Sequence, residues 1–412
     1  MKPALRSRLT FRSAGARRES FRQFHPPFLR MIGVENREGK VAVRRFPAPL
    51  VDLRVVDFST PPEHVGSVQR GLLQHASLLS CPRCGGKLDF FLDILECKWC
   101  GGEYRCEAGI PRLFFPHDVF YGPRDVTHAV KDFYEANPFP AYDDVDSRDA
   151  LCRELLATPL GRLLDGNLPA NALILDAGCG TGHLTNFLAL RKDRHAIGVD
   201  LSLNSLQMAK KFKDRCAIQN AGFLQMNLFR PPFRAGVFDV VIANNVLHHT
   251  SDPLRGFRAL SALLKPDGLF VLSLYNRFGR LGNHLRRSFY RLSKNRLAFL
   301  SWRNENQRAR FIQRYQQPWE SRHFLGEIVQ QWFGAHEFEF LYSSPRIGSQ
   351  VLSGGEDIRY ARWPGDSAMR LQTEFGMLLR GMLNDGLFMM IGRNKHQPKR
   401  IEAAERAGAA VA

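Results

Sequence analysis

The feature that most constrains the fold is a glycine-rich turn between an apolar strand and a helix. In the segment ALILDAGCGTGHL (172–184), an apolar run ends at Asp176 and continues through Gly178, Gly180 and Gly182. Glycine permits positive φ angles and lets a ligand approach the backbone closely. The spacing is G-x-G-x-G and not the G-x-G-x-x-G of dinucleotide sites. The third glycine is therefore not at the position that a pyrophosphate site requires at the helix start. The turn therefore predicts a ligand site, but not a dinucleotide site.

Strand and helix patterns alternate along the chain from about residue 171 onward. Apolar runs lie at 173–175, 196–199, 238–243 and 269–274, with later strand candidates at 337–342 and 387–391. Helical patterns lie at 183–190, 205–212, 253–264 and 322–333. Such alternation indicates a parallel α/β sheet whose strands are buried on both faces. We therefore predict an α/β fold with a Rossmann-like sheet.

Two acidic residues end consecutive predicted strands. Asp176 ends the first strand and can hold a ligand ammonium group, and Asp200 ends the next strand 24 residues later. A carboxylate at the second position can accept hydrogen bonds from both hydroxyls of a ribose. A glycine-rich turn alone is weak evidence, whereas the turn with both acids in register strongly indicates a ligand that carries an amine and a ribose.

With these motifs the chain resembles the class I S-adenosylmethionine-dependent methyltransferases. The similarity runs through LDAGCGTGHL, GVDLS, QMNLF, FDVVIANNVLHHTSDP and LLKPDGLFVLSLYN, in the family's order, over about 171–276. The resemblance implies a seven-stranded sheet, a methyltransferase domain over 166–394 and S-adenosyl-L-methionine as the cofactor. It also implies a set of cofactor-binding residues, namely Asp176, Gly178, Gly180, Gly182, Asp200, Leu201, Asn227 and Asn244.

The resemblance also indicates which residues face the adenine and the methyl acceptor. Asn227 stands where the family usually has Asp near the adenine amino group, and its side-chain carbonyl can still accept that hydrogen bond. Asn244 to His249 follow the fourth strand and would face the sulfonium and the acceptor. His248 and His249 are the catalytic candidates, because an unperturbed histidine pKa near 6.5 suits a general base. The alternative is that one of them packs, or caps the following helix at 251–252.

Four cysteines form two CxxC pairs ahead of this core. Cys81 and Cys84 are separated by two residues, as are Cys97 and Cys100, and twelve residues lie between the pairs. Four thiolates satisfy tetrahedral Zn²⁺ with no open position, so we predict a structural zinc site. Cys106 is a fifth candidate, but it breaks the paired geometry. The cysteines are too sparse for a disulfide scaffold, which favours a metal site in a reducing, cytoplasmic compartment.

The cysteine-rich segment, predicted as a small domain over 71–116, resembles the zinc ribbon of activator subunits that bind RNA and protein methyltransferases. Zinc ribbons serve as docking modules, so the resemblance implies a protein partner at this segment. The next stretch, 117–165, is predicted to be a helical linker or cap. Its aromatic run FYEANPFPAY (133–142) either closes the cofactor pocket or packs as a linker.

The positive charge is concentrated in two segments. Residues 1–50 have a net charge of +9 and residues 275–322 of +10, while the rest of the chain sums to −1. This distribution argues against a uniformly polycationic nucleic-acid coat. Residues 1–70 are typical of a disordered or loosely structured basic region, or of a mitochondrial transit peptide. Residues 395–412 are expected to form a frayed tail.

The second basic segment, an insertion at 276–320, lies where small-molecule members of the superfamily build a lid over the acceptor. Leu281, Leu285, Phe289 and Leu292 recur in it at helical spacing, with arginines on other faces. A basic amphipathic helix can lie on an anionic membrane, follow an RNA backbone or remain solvated. The sequence leaves these three alternatives open.

Three functional hypotheses follow. The first is a methyltransferase that acts on a small, lipophilic or quinone-like acceptor at O, N or C, since the core is similar to ubiquinone/menaquinone-type methyltransferases in its cofactor motifs. The second is an RNA methyltransferase that docks through the zinc ribbon. The third is a non-catalytic module that keeps the fold and binds a partner. We expect a cytoplasmic protein, peripheral to a membrane if the basic helix binds lipid.

Overall fold

The structure, a computed structural model, describes residues 72, 74–117, 125–142, 144–293, 311–312, 315–347, 357–384 and 386–396. All of these residues belong to one contact unit, Asp57–Ala412. The predicted basic region 1–70, with a strand candidate at 51–56, lies outside the described residues. So do 294–310 of the basic insertion and residues 397–412 of the predicted tail.

One sheet of eleven strands forms the centre of the described chain. The strands are β1 (Leu88–Phe91), β2 (Ile94–Cys97), β3 (Glu103–Glu107), β4 (Ile110–Leu113), β5 (Leu173–Ala177), β6 (His195–Asp200), β7 (Ala221–Met226), β8 (Phe238–Asn244), β9 (Leu264–Tyr275), β10 (Phe338–Ser344) and β11 (Leu387–Asn394). Their order is β1-β2-β3-β4-β7-β6-β5-β8-β9-β11-β10. The strands from β4 to β9 in this order pair in parallel, whereas β11 is antiparallel to both β9 and β10.

The predicted α/β fold is confirmed, but the sheet has eleven strands where seven were predicted. The four additional strands, β1 to β4, come from the cysteine segment and pair antiparallel with one another. The last of them, β4, then pairs in parallel with β7, with Arg112 opposite Gln225 and Leu113 opposite Met226. The cysteine segment therefore extends the main sheet at its edge.

Nine helices of the described chain flank or follow these strands. They are α1 (Thr127–Ala136), α2 (Arg148–Ala157), α3 (Pro159–Asn167), α4 (His183–Leu188), α5 (Leu203–Arg215), α6 (Pro253–Ser261), α7 (Leu281–Leu292), α8 (Leu325–Glu327, continued by a π-helical turn at Ile328–Phe333) and α9 (Ser367–Asn384). Side-chain caps mark the N-termini of several helices. Ser202 accepts a hydrogen bond from the Ser205 amide at the start of α5, and Asp252 accepts one from the Arg255 amide at the start of α6. The cap of α6 is thus Asp252 and not a preceding histidine.

The sheet is buried on both faces, as its continuous apolar strands predict. All residues of β5 and β7 are buried. Successive side chains of β5 point to opposite faces, so Leu175 joins a core that contains Trp332 while Ile174 joins one that contains Phe187. Within the described residues, no helix is long and apolar enough to cross a membrane. The carboxyl ends of the central parallel strands lie at one edge, where ligands bind in open α/β sheets.

Candidate functional site

A cavity of about 820 Å³ lies beyond the carboxyl ends of β5, β6 and β8. This volume falls within the range of about 300–1,000 Å³ that small-molecule sites occupy. Most of the predicted cofactor-binding and catalytic residues line it, namely Asp176, Gly178, Gly180, Asp200, Leu201, Asn227, Asn244 and His249. The sequence motifs therefore converge on one concave site.

The first two glycines of the turn lie against neighbours that leave no room for a side chain. Gly178 has a φ of +74°, and a Cβ atom there would lie 2.3 Å from Val246 Cγ2. Gly180 has a φ of +54°, and a Cβ atom there would lie 2.3 Å from the carbonyl oxygen of Phe139. Glycine is therefore required at both positions by backbone conformation and by close packing.

Two predicted residues, Gly182 and His248, do not line the cavity. Gly182 packs on α5 instead, since a Cβ atom there would lie 2.5 Å from Ala209 Cβ. The ring of His248 is fully buried, with its centroid 3.9 Å from that of Tyr275. Burial holds the pKa of His248 well below its usual range, so this imidazole is neutral. Of the two candidate histidines, His249 is thus the one at the cavity.

The two acids lie at the cavity wall, Asp176 buried and Asp200 half-buried. Asp176 Oδ2 accepts a hydrogen bond from Thr185 Oγ1 at 2.6 Å, and burial raises the pKa of Asp176 to about 6. Asp200 accepts from the amides of Gly180 and Ser202, both at 2.9 Å, and burial raises its pKa as well. A neighbouring acid raises each pKa further: Asp200 raises the pKa of Asp176, and Glu135 raises the pKa of Asp200. A cationic or hydrogen-bond-donating ligand would relieve this cost.

The side-chain amide of Asn227 already has protein partners at both ends. Its Oδ1 accepts from the Phe229 amide at 3.0 Å, and its Nδ2 donates to the Phe115 carbonyl at 2.9 Å. The side chain is buried, yet the residue lines the cavity. Because an amide oxygen has two lone pairs, Oδ1 keeps one acceptor site for a ligand.

Hydrogen bonds connect the aromatic segment 133–142 to the glycine-rich turn. The Thr181 amide donates to the Phe139 carbonyl at 3.2 Å, and Thr181 Oγ1 donates to the Pro140 carbonyl at 2.5 Å. The Tyr142 hydroxyl donates in turn to the Thr181 carbonyl at 2.7 Å. Four residues of the segment line the cavity, namely Tyr134, Phe139, Pro140 and Ala141. The segment is thus packed on the turn and also forms part of the cavity wall, so both predicted roles remain predictions.

His249 lies in a 3₁₀ turn, Leu247–His249, directly after β8. Its Nδ1 is 2.9 Å from the Trp319 carbonyl, so Nδ1 carries the proton and donates, and Nε2 keeps its lone pair. Among the described residues, Nε2 has no hydrogen-bond partner. Burial lowers the pKa of His249 to about 4. The cavity is therefore lined by a neutral imidazole with a free acceptor nitrogen.

Several residues that line the cavity were not predicted from the sequence, and two of them come from the insertion after β9. Arg280 is 1% exposed, lies over the Tyr275 ring at 3.8 Å and pairs with Glu320 at 3.0 Å. Gln317 lines the same wall. One arginine among many in a basic segment carries no sequence signal that distinguishes it. Its burial, which depends on tertiary contacts, is what marks it.

The four predicted metal ligands come together in two equivalent turns. In the first, the Gly85 amide donates to the Cys81 carbonyl and the Cys81 amide to the Gly86 carbonyl, both at 2.8 Å. The second turn, 97–102, repeats both bonds at 2.9 Å. Gly85 and its counterpart Gly101 both have positive φ, at +77° and +63°. Both knuckles thus use a glycine where the backbone is left-handed.

The sulfur atoms of Cys81, Cys84, Cys97 and Cys100 all lie within 4.8 Å of one another. The Sγ–Sγ distance is 3.4 Å between Cys84 and Cys97 and 3.7 Å between Cys81 and Cys100. A zinc tetrahedron with Zn–S bonds of about 2.3 Å has edges of about 3.8 Å. Cys106 lies outside this cluster, as expected. The donor set and its spacing fit a four-thiolate metal site.

Comparison with known proteins concerns mainly the central part of the chain. Residues 175–272 match a family described as a methyltransferase domain. An uncharacterized protein of Synechococcus is 34% identical over 38% of this chain and 39% of its own length. A ubiquinone biosynthesis O-methyltransferase of Marinobacter nauticus is 36% identical over 25% of this chain and 44% of its own length. The chain thus spans about two fifths of the length of these relatives.

A third relative differs in the acceptor that its name states. It is a tRNA (carboxymethyluridine(34)-5-O)-methyltransferase of Xenopus tropicalis, 31% identical over 30% of this chain and 18% of its own length. The names of these relatives state different acceptors, so they do not specify an acceptor for this chain. The glycine-rich turn and both acids lie within residues 175–272, the range that matches the methyltransferase-domain family. This match supports an S-adenosylmethionine-dependent methyltransferase domain over that range.

Proposed function

We propose that this protein transfers the methyl group of S-adenosylmethionine to a small, lipophilic acceptor. The observation that carries the proposal is one cavity of about 820 Å³ that brings the acids Asp176 and Asp200 together with His249. Its wall also includes the aromatic rings of Tyr134 and Tyr275. A concave site with apolar walls and a few convergent polar groups suits a small ligand better than a polymer.

The residues present fit this cofactor. Asp176 would hold its ammonium group, Asp200 its ribose hydroxyls and Asn227 its adenine amino group. Desolvation raises the pKa of both carboxyl groups, so a ligand that brings positive charge and hydroxyl donors would stabilise their ionised forms. The bound cofactor supplies an electrophilic methyl group on a sulfonium.

The chain's own residues would position the acceptor and receive its proton. His249 is neutral, and its Nδ1–H bond to the Trp319 carbonyl holds the tautomer in which Nε2 is basic. Nε2 would receive the proton that a hydroxyl or amine acceptor loses when it is methylated. The aromatic segment 133–142, which includes Tyr134, would exclude water from the site. Orientation of the reactants can lower the activation barrier by about 7–11 kcal/mol.

The His249→Gln variant is expected to slow methyl transfer by about 10²–10⁴-fold while cofactor affinity stays unchanged. Because burial lowers the pKa of His249 to about 4, the wild-type imidazole is already the free base at neutral pH. At saturating cofactor, where Asp176 would be paired with the ammonium group, the wild-type rate should therefore show no inflection near the ordinary histidine pKa of about 6.5. Initial rates as a function of pH measure both effects. The exposed His128→Gln is the control, and a His249 variant that keeps the full rate would contradict the role.

The proposal is tested with methyl-labelled cofactor and an extract of cells that lack the gene. We expect label in a small product that partitions into organic solvent. Label in precipitable RNA that ribonuclease releases would instead support the RNA methyltransferase hypothesis. If the protein binds no cofactor and labels nothing, the non-catalytic hypothesis stands and the proposed function fails.

A further inference from the structure

The outer faces of two neighbouring helices are apolar. On α7, Leu281, Leu285, Phe289 and Leu292 are exposed, with Leu292 85% exposed. On α9, Leu371, Phe375 and Leu379 are exposed, with Leu379 72% exposed. The two helices pack against each other. We call these seven side chains the two-helix face.

The buried sides of the same helices are largely polar. Asn283 and Arg287 of α7 are buried, as are Arg370 and Glu374 of α9. Two of these groups bond inside the protein, since Arg287 donates to the Gln317 carbonyl and Glu374 Oε1 accepts from the Leu325 amide. A helix of a soluble protein normally turns its apolar side to the core. Here the apolar side chains are turned outward, which marks an interaction surface.

Charge on the two helices indicates the kind of partner. They contain five arginines and one acidic residue, Glu374, which is buried. Arg291 and Arg380 are exposed and Arg286 is half-buried. The outer surface is therefore apolar with a basic margin and has no exposed carboxylate of its own. That combination is typical of helices that lie in the interface of an anionic bilayer.

We propose that the two-helix face docks onto an anionic membrane surface. The leucines and phenylalanines enter the headgroup region, and Arg286, Arg291 and Arg380 meet lipid phosphates. An RNA backbone would pair with the arginines but leave seven apolar side chains in water. A second copy of the chain would bring two sets of arginines together across a symmetric interface. Of these three partners, the lipid surface is the one that satisfies both the apolar and the basic groups.

Docking would also place the cavity near the bilayer. Arg280 directly precedes α7 and lines the cavity, as does Gln317. A lipophilic acceptor could then pass from the membrane to the site with little exposure to water. This consequence rests on the proposed function, whereas docking itself does not.

Sedimentation with vesicles tests the proposal on the full-length protein. We expect it to bind phosphatidylcholine vesicles that contain about one third phosphatidylglycerol, and to bind pure phosphatidylcholine much more weakly. Leu285→Gln/Phe289→Gln and Phe375→Gln/Leu379→Gln should each weaken binding by at least about tenfold, because each pair removes two large apolar contacts. Arg286→Gln/Arg291→Gln should weaken binding to the anionic vesicles and reduce its salt dependence.

Leu156→Gln, an exposed leucine on α2, is the matched control and should bind as the wild type does. All the altered apolar side chains are exposed, so thermal melting should change little. The proposal is overturned if the wild type does not bind anionic vesicles, or if both apolar variants bind them as well as it does. It is equally overturned if the face variants convert a dimer to a monomer without changing vesicle binding, or if the protein binds an RNA oligonucleotide and not vesicles.

Discussion

Replacing Cys81 and Cys97 by serine is expected to give a metal-free protein whose cysteine segment is unfolded. The two residues belong to different knuckles, and both are buried, so the variant loses one sulfur ligand from each CxxC pair. The segment contributes only four short strands, each of four or five residues, around this cluster. In small zinc domains the apparent metal-binding free energy is about 10–16 kcal/mol and is effectively the folding free energy.

The effect should extend beyond the cysteine segment. Since β4 pairs with β7, unfolding of the segment would expose an edge of the main sheet. We therefore expect zinc bound to the wild type and none to the variant, with a lower melting temperature and a tendency to aggregate. Elemental analysis and thermal melting measure these quantities. The control Cys106→Ser, outside the cluster, should keep the metal. The zinc site would be refuted if the wild type contained no metal and still unfolded in one cooperative transition.

The main strands could be predicted because their signal is local. A continuous apolar run such as Phe238–Asn244 is buried on both faces wherever it lies in a parallel sheet, and the glycine-rich turn marks which strand end holds a ligand. The pairing of β4 with β7 could not be predicted, because it joins segments about a hundred residues apart through only two residue pairs. No periodicity in either strand specifies such a partner.

The site was predicted at the level of motifs and less well at the level of single side chains. The sequence offers both His248 and His249 as candidates, and it favours His249 without specifying its partner, Trp319, whose carbonyl accepts from the His249 ring from 70 residues away. Tyr275, the last residue of β9, and Arg280, in the insertion that follows, likewise become wall residues only through tertiary burial. Similarly, helical spacing predicts a stripe on α7 but not that the stripe faces outward, since periodicity alone does not tell a core from a docking surface.

Removal of the Asp200 carboxylate is expected to weaken cofactor binding strongly. Asp200 accepts from the Gly180 and Ser202 amides, so one side chain both supports the turn and presents oxygens to the cavity. Hydrogen bonds to a charged group contribute about 1.5–3 kcal/mol each, and Asp200→Ala loses those to the ribose as well as those that hold the turn. The affinity for S-adenosylmethionine should therefore fall by at least about a hundredfold.

Titration calorimetry of the wild type, Asp200→Ala and Asp200→Asn distinguishes the effect of the lost charge from the effect of the lost side-chain size. Asn keeps the size of the side chain and one oxygen acceptor but loses the charge, so it should retain more affinity than Ala yet remain well below the wild type. Asp267→Ala, at an exposed acid far from the cavity lining, should bind as the wild type does. Equal affinity of wild type and Asp200→Ala would show that the cofactor, if bound, does not lie along β6. Absence of binding by the wild type, with the protein folded and its metal present, would remove the basis for methyl transfer altogether.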